Sequence, residues 1–510
     1  MSEQKSGITN FSFLVFFVTI LFGILMTSVL LVIDQNSLLY YGDAVSHLFI
    51  SRRFVDSESP GLIQMGTVWL PLPHFMMLPF SLIDSLFSSG LAGLVNLPIH
   101  ALSAVFIFKI IFSATKNKKI SLAGGLLYAS NLNILYLGIT AMTEAPFLLF
   151  FIGSVYYLQK WKNSEFVLTP LIISSIFVSL STLCRYEAWI LPPFMLILCL
   201  FFLRKKQNTL KLVCFLIVLI SFSGILFWSS WNQIIYGNPL EFANAEFYAA
   251  SSQSLVRENR DMLYLQPLNV LEIYGNAAKM IIGPILVVGC IGFISYLKEK
   301  NKTLSNGIYL FLILPVLFTL FTMLIGIGEM NQWWFNARFA TFLYPIAIIL
   351  TGLGIYKIQK VSKKIIPLTI IFALLIFQIA SIDYGVVTFI DAQRGWEYKQ
   401  SPFAHATGQY IAQNYDGGKI LILTGSSQAH RIMISSERNL VDFNEGIESF
   451  IYQPYFQEPW KYNRWIILSS EPDSDSVNPA SFWTENMSQL EKYYEPVFEN
   501  EYYKILKIKN

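Results

Sequence analysis

The sequence predicts a polytopic α-helical membrane protein with about eleven transmembrane helices, followed by a small C-terminal α/β domain. Three observations carry that expectation. The 510 residues are 54% hydrophobic and only 14% charged, where an ordinary soluble domain has about 25% charged residues. The apolar residues gather in blocks, several longer than the roughly 18 residues that a spanning helix needs. The loops between the blocks alternate in charge, every second one being basic, as cytoplasmic loops are.

The blocks lie near 11–33, 91–113, 120–139, 143–159, 166–183, 187–203, 212–234, 273–297, 307–327, 339–356 and 365–385. The first is too long for a signal peptide and lacks a small-residue cleavage site before the polar stretch, so it reads as the first span. Lys116/Lys118/Lys119, Lys160/Lys162, Arg204/Lys205/Lys206/Lys211, Lys298/Lys300/Lys302 and Lys357/Lys360/Lys363/Lys364 form the basic loops. Together with Lys5 these belong in the cytoplasm. Residues near 70–89, beginning PLPHFMMLPF, are apolar enough to suggest a twelfth span but contain three prolines and Asp84. Proline and a charge both disfavour a spanning helix, and counting this segment would invert every later loop. It is therefore read as part of a long first outer loop, 34–90.

This parity puts the N-terminus inside and the C-terminus outside a cell membrane. Residues 1–385 are then a transmembrane catalytic domain and 386–510 an extracytoplasmic α/β domain. From 386 onward there are 11 Lys/Arg against 16 Asp/Glu, so the tail is acidic. The basic excess of the membrane part serves topology and implies no nucleic acid. In the tail, Lys419–Gly425, Arg438–Phe443 and Arg464–Ser470 read as strands, with two more at 496–499 and 502–508. Helices alternate with them near 402–414, 427–436 and 479–493. No glycine fingerprint follows the first strand, so a nucleotide site is not indicated. Cys184, Cys199, Cys214 and Cys290 fall in or beside apolar blocks without metal or disulfide spacing and read as small core residues.

With parity fixed, the polar loops Tyr40–Gly61, Gln64–His74, Met142–Pro146, Cys184–Trp189, Tyr236–Tyr248 and Gly328–Phe339 share the outer face. Asp43 begins a helical pattern with His47 four residues later on the same side. A carboxylate there serves as a helix cap, as a base for an acceptor hydroxyl, or, with His47, as a ligand to a divalent cation. Glu144 precedes Pro146, which makes Thr143–Pro146 a sound helix start as well as a site for an acid. Arg185 and Glu187 form either a polar turn or an internal ion pair. Arg338 is basic on a face where the charge rule disfavours it, and a guanidinium suits phosphate. Arg52 and Arg53 read as solvated. Trp69 and His74 in the first loop, with Glu241 in Tyr236–Tyr248, complete the candidate substrate contacts.

Four short motifs, GDAVSH with Asp43, TEAPF with Glu144, CRYEAWIL with Arg185 and Glu187, and NARFATFLYP with Arg338, follow one another in an order that resembles the GT-C class of membrane glycosyltransferases. The resemblance covers most of residues 10–385. It runs in particular to the branch related to dolichyl-phosphate-mannose protein mannosyltransferases and the aminoarabinose transferase of lipid A. It implies a GT-C-like fold and a polyprenyl-phosphate-linked sugar donor, with inversion at the anomeric carbon and a glycan, lipid or protein acceptor. It also implies a catalytic set of Asp43, as general base, and Glu144, with Arg338 and Arg185 holding the lipid phosphate. Members of the class often carry two neighbouring acidic residues in the first loop. Here the next acid after Asp43 is Asp56, which leaves metal dependence open; Asp43 and His47 are the ligands if a cation is used. Alternatives are an O-antigen-type ligase or polymerase, whose main outer loop comes late in the chain, and a lipid or solute transporter. The latter would show midplane charges and two related halves.

Overall fold

A computed structural model describes residues 2–244, 262–298, 308–327, 330, 336–362, 365–380, 386–397, 401–424, 426–445, 453–469, 482–483 and 486–509. The chain forms two compact units that are not consecutive segments. The first gathers Met1–Ile33, Thr67–Pro73 and Leu94–Asp391; the second gathers Asp34–Gly66, His74–Gly93 and Ala392–Asn510.

The first unit is helical, and each apolar block is helical over most of its described length. Among the described residues, five helices are long and apolar enough to cross a membrane: Thr9–Ile33, Leu91–Thr115, Tyr186–Leu203, Asn208–Tyr236 and Ala337–Val361. Leu168–Thr182, Leu314–Leu324 and Ile366–Gln378 are apolar but shorter. The protein is thus a multi-pass membrane protein. Large apolar side chains such as Phe17, Leu21, Leu226, Ile234, Leu268 and Phe372 stand exposed on its surface, as lipid-facing positions do.

The block 273–297 is not one straight span. Gly283 takes φ +56° ahead of Pro284, and the helices Pro267–Ile282 and Ile285–Ile294 meet at 103°. Proline removes a backbone donor and keeps the preceding residue out of the helical region, so the helix cannot run through. Counted as one span, this pair brings the total to six. Another break falls at Ser130–Asn131, where the Asn131 side chain accepts from the backbone amides of Asn133 and Ile134 and starts the next helix, Leu132–Leu137.

Contacts within this unit sort its loops to two ends. At one end Asn117 donates to Gln359 at 2.8 Å, Lys162 lies 4.4 Å over the Phe202 ring, and Lys206 lies 5.1 Å over Phe166. The helix Glu144–Asn163 has 20 residues and so carries the chain about 30 Å to the other end. There Glu144, Arg185 and Arg338 meet. The first helix, Ser2–Ile33, runs antiparallel to Asn96–Thr115, since Val15 packs beside Phe108 and Gly23 beside Leu97. The described basic loops and the acidic-arginine loops therefore occupy opposite ends, the separation that the charge alternation predicts; Lys300 and Lys302 lie outside the described residues.

In the second unit a five-stranded sheet has the order β2-β1-β3-β5-β4, with β1 Ile420–Leu423, β2 Phe443–Glu445, β3 Trp465–Ser469, β4 Tyr494–Glu499 and β5 Tyr503–Ile508. β1 pairs in parallel with β2 and β3, and β5 is antiparallel to β3 and β4. Two of the expected helices appear as Ser401–Asn414 and Ser426–Ser435. The strand expected at 438–443 is a 3-10 turn over Leu440–Asp442, and pairing begins only at Phe443. Of the helix expected at 479–493, Phe482–Trp483 and Met487–Leu490 are helical and 491–493 form a turn, while 479–481 and 484–485 lie outside the described residues.

The first loop supplies the rest of this unit. Its helix Gly42–Arg53 packs on Ser426–Ser435: Ser46 hydrogen-bonds the His430 ring at 3.1 Å, and Arg431 donates to the carbonyls of Leu39 and Tyr40. Asp56 accepts from the backbone amides of Leu440 and Val441. The segment near 70–89 forms two short helices, Leu72–Ser81 and Asp84–Ser88. The longer has 10 residues, half the length that spanning requires.

Candidate functional site

The end of the first unit away from the basic loops holds a buried ionic cluster. Glu144 opens its helix in the first turn, where a carboxylate also meets the positive end of the helix dipole, and it is fully buried. Arg185 lies in extended backbone (φ −150°, ψ 145°) just before the 3-10 turn Tyr186–Ala188. From there it donates Nη1 to Glu144 Oε1 at 2.9 Å and to Thr143 Oγ1 at 2.9 Å. Its other edge grips Glu187 in a fork, Nε to Oε2 at 3.1 Å and Nη2 to Oε1 at 2.9 Å. Arg338 follows Asn336, which adopts the left-handed conformation that asparagine tolerates. Its Nε stands 3.3 Å from the same Glu144 Oε1.

Aromatic rings cover both guanidinium groups. Arg185 sits 5.0 Å and 5.3 Å over Phe339 and Phe342, and Arg338 sits 5.4 Å over Phe339. Stacking of this kind suits arginine, which is weakly hydrated and flat. Two carboxylates and two guanidiniums balance, which makes burial of four charges tolerable. Glu144 Oε2 has no hydrogen-bond partner among the described residues. With Oε1 shared by two guanidiniums, the geometry of Glu144 suits holding the arginines.

Other predicted residues surround the cluster. The strap Thr67–Pro73 crosses this end: the Tyr186 hydroxyl donates to the Val68 carbonyl at 2.7 Å and accepts from Trp228 Nε1 at 3.1 Å. Thr67 hydrogen-bonds Asn232, and the Leu72 amide donates to Leu183. Trp69 is half-buried in this strap. Glu241 accepts from Asn238 at 3.2 Å, one residue before Phe242, which stacks on Tyr186 at 5.1 Å. Two contributors escaped the sequence reading. Asn96 donates to the carbonyls of Thr140 and Met142, both at 2.8 Å, and so fixes the turn into Glu144. Tyr274 donates to the Phe339 carbonyl at 3.5 Å. Neither residue stands in a motif.

Asp43, His47 and His74 belong to the second unit. The helix cap is Tyr41, and Asp43 lies in the first turn of Gly42–Arg53; capping by position is therefore not its role. His47 Nδ1 and His74 Nε2 are 2.9 Å apart, both rings are buried, and His74 Nδ1 has no partner among the described residues. Burial lowers the His74 pKa to about 3, so the ring is neutral. Among the described residues no group of three or more His, Cys, Asp or Glu side chains could hold a metal ion. A cation at Asp43 and His47 would lack a third such ligand there. Arg52 is not solvated as expected. It is buried, pairs with Asp56 at 2.8 Å and Asp84 at 2.6 Å, and lies 4.6 Å over Phe87. Cys290 is exposed, unlike the other three cysteines, so it is not the core residue expected.

No family model matches the chain, and no curated protein matches it. Among solved structures it is similar to the archaeal oligosaccharyltransferase AglB from Archaeoglobus fulgidus in complex with an inhibitory peptide and a dolichol-phosphate. There the identity is 12%, the match covers 95% of this chain and 72% of that one, and the TM-score is 0.47. It is also similar to ArnT from Cupriavidus metallidurans bound to undecaprenyl phosphate, at 10% identity, 92% and 97% coverage and a TM-score of 0.47. The apo form of ArnT gives 9% identity, 91% and 92% coverage and a TM-score of 0.49. At such identities and TM-scores these are likenesses of layout alone.

Proposed function

We propose that this chain is a glycosyltransferase that moves a sugar from a polyprenyl-phosphate carrier to an acceptor on the outer face of the membrane. The observation that carries this reading is the buried Glu144–Arg185–Arg338 cluster, at the end of the helical unit opposite the basic loops. Charges inside a membrane unit are costly and usually functional. Two guanidiniums that share one carboxylate oxygen suit a lipid phosphate, with Arg338 as the principal ligand. In this reading the acceptor oxygen attacks the anomeric carbon, the bond from that carbon to the phosphate oxygen breaks, and configuration inverts. The lipid phosphate leaves with the bonding electrons, its charge met by Arg338 and Arg185. Asp43 takes the acceptor proton. Glu144 orients both arginines, and Glu187 anchors Arg185. Trp69 and Glu241 are proposed sugar contacts. His47 and His74 are buried against each other, and their proposed part is to hold the helix that bears Asp43.

The bundle crosses the membrane about eleven times in this reading, with its N-terminus in the cytoplasm and the Ala392–Asn510 segment outside. The test is direct. Purified protein in lipid nanodiscs is supplied with radiolabelled polyprenyl-phosphate mannose, glucose or arabinose, and release of the lipid phosphate is followed. Turnover of one donor, abolished in Arg338→Ala, is expected. Failure to consume any of them, with a folded sample, would reject this donor class. A reporter showing Lys116–Lys119 outside would overturn the sidedness.

A further inference from the structure

Two cavities in the second unit lie side by side. One, of about 240 Å³, is walled by Asn36, Trp396, His405, Gln409 and Arg431. The other, of about 330 Å³, is walled by Arg52, Asp84, Arg438 and Asn439. Ser88, Ile434 and Glu437 line both. They are two lobes of one groove, with Glu437 at the junction. Each lobe is near the lower end of small-ligand sites, about 300–1,000 Å³.

The framework of the groove is fixed while its rim is uncommitted. Arg431 is buried, held by two backbone carbonyls and stacked 4.6 Å over Trp396. His405 Nδ1 is hydrogen-bonded to Ser435 at 2.7 Å. Arg52 is neutralised by Asp56 and Asp84. These partners hold the three side chains in the wall of the groove. By contrast, the side chains of Asn36, Asn439 and Glu437 form no hydrogen bond with the described residues. Glu437 also takes φ +55°, a left-handed conformation that is costly for a residue with a side chain, and such outliers concentrate at functional positions.

Planar amide and carboxylate groups that offer paired donors and acceptors match vicinal hydroxyls. Leu39, Val45 and Trp396 in one lobe and Phe87 and Met433 in the other supply apolar walls beside these polar groups, a mixed lining against which a sugar ring can pack its C–H face while its hydroxyls meet the amides and the carboxylate. We propose that this groove binds a saccharide chain, one sugar in each lobe, with Glu437 accepting hydrogen bonds from hydroxyls at the junction. It would be the acceptor of the transfer, a role that rests on the glycosyltransferase reading above; the binding itself does not.

The test uses full-length protein in detergent, with no donor present. Fluorescently labelled neutral, N-acetylated and uronic-acid trisaccharides are titrated and followed by anisotropy. Saturable binding of at least one is expected. Glu437→Gly should weaken it tenfold or more while the thermal midpoint stays or rises, because glycine relieves the backbone while removing the carboxylate. Asn439→Ala should weaken it less. Absence of saturable binding to every probe overturns the proposal, as does binding indifferent to both substitutions. A protein that consumes the lipid donor but binds no trisaccharide keeps the transferase reading and loses the groove. One that binds trisaccharide but consumes no donor does the reverse.

Discussion

Replacing Glu144 with leucine should cost more stability than any other single change in the helical unit. The carboxylate is fully buried, and its Oε1 lies 2.9 Å from Arg185 and 3.3 Å from Arg338. Breaking a buried ion pair from one side costs about 3–5 kcal/mol, because the partner charge is left uncompensated. Arg185 keeps its fork to Glu187, so most of the penalty falls on Arg338. Glu144→Leu should therefore lose about 4 kcal/mol, and Glu144→Gln, which still accepts a hydrogen bond, about 3. Adding Arg338→Met to Glu144→Leu removes the cation that has lost this carboxylate. The double variant should recover at least about 1 kcal/mol relative to the sum of the singles, within the usual range for contacting residues. Unfolding by denaturant titration in mixed micelles, followed by tryptophan fluorescence, reads all four corners of the cycle. Single variants within about 0.5 kcal/mol of the parent, or strict additivity, would refute an energetically coupled cluster.

Asp43→Asn should retain the thermal midpoint and lower transfer by about 10²–10⁴-fold; full activity would remove Asp43 from the chemistry. The second unit should lose stability on acidification. His74 has its folded pKa lowered to about 3 by burial, against 6.5 when unfolded. The unfolded chain therefore binds the proton first, and stability is full above pH 6.5 and falls below it. At pH 5 the loss should reach up to about 2 kcal/mol, and a His74→Asn variant should show a flatter melting profile from pH 7 to 5. Gly292→Ala should destabilise the helix pair Ile285–Lys298 and Tyr344–Val361 by about 1–3 kcal/mol, since its Cβ would fall 1.8 Å from the Leu350 carbonyl oxygen. Gly275→Ala, with nothing within 4 Å, is the neutral control in the same melting assay.

What could be read in the sequence was whatever repeats along it. Apolar blocks and alternating loop charge are local patterns, and they suffice to place Glu144, Arg185, Glu187 and Arg338 at one end. The Gly283-Pro284 break was visible too, but block hydropathy averaged over it. Burial of Arg52 was not legible, because its carboxylate Asp84 lies 32 positions away and nothing local marks the pairing. The union of the first loop with the tail rests on contacts more than 380 residues apart, and Asn96 works through a turn 44 positions later. Side chains that serve another segment's backbone leave no periodicity of their own.

The shared oxygen of Glu144 has a consequence for ligand exchange. A site that binds a phosphate with a guanidinium must first free that guanidinium, and a carboxylate released inside a bundle would stand exposed to its own desolvation penalty. Because Oε1 faces two arginines, Arg338 can turn to an incoming anion while Arg185 stays on duty as counter-ion. In the proposed reading, Arg338 can meet the lipid phosphate while Arg185 still holds Glu144 Oε1, so the carboxylate keeps a cationic partner throughout.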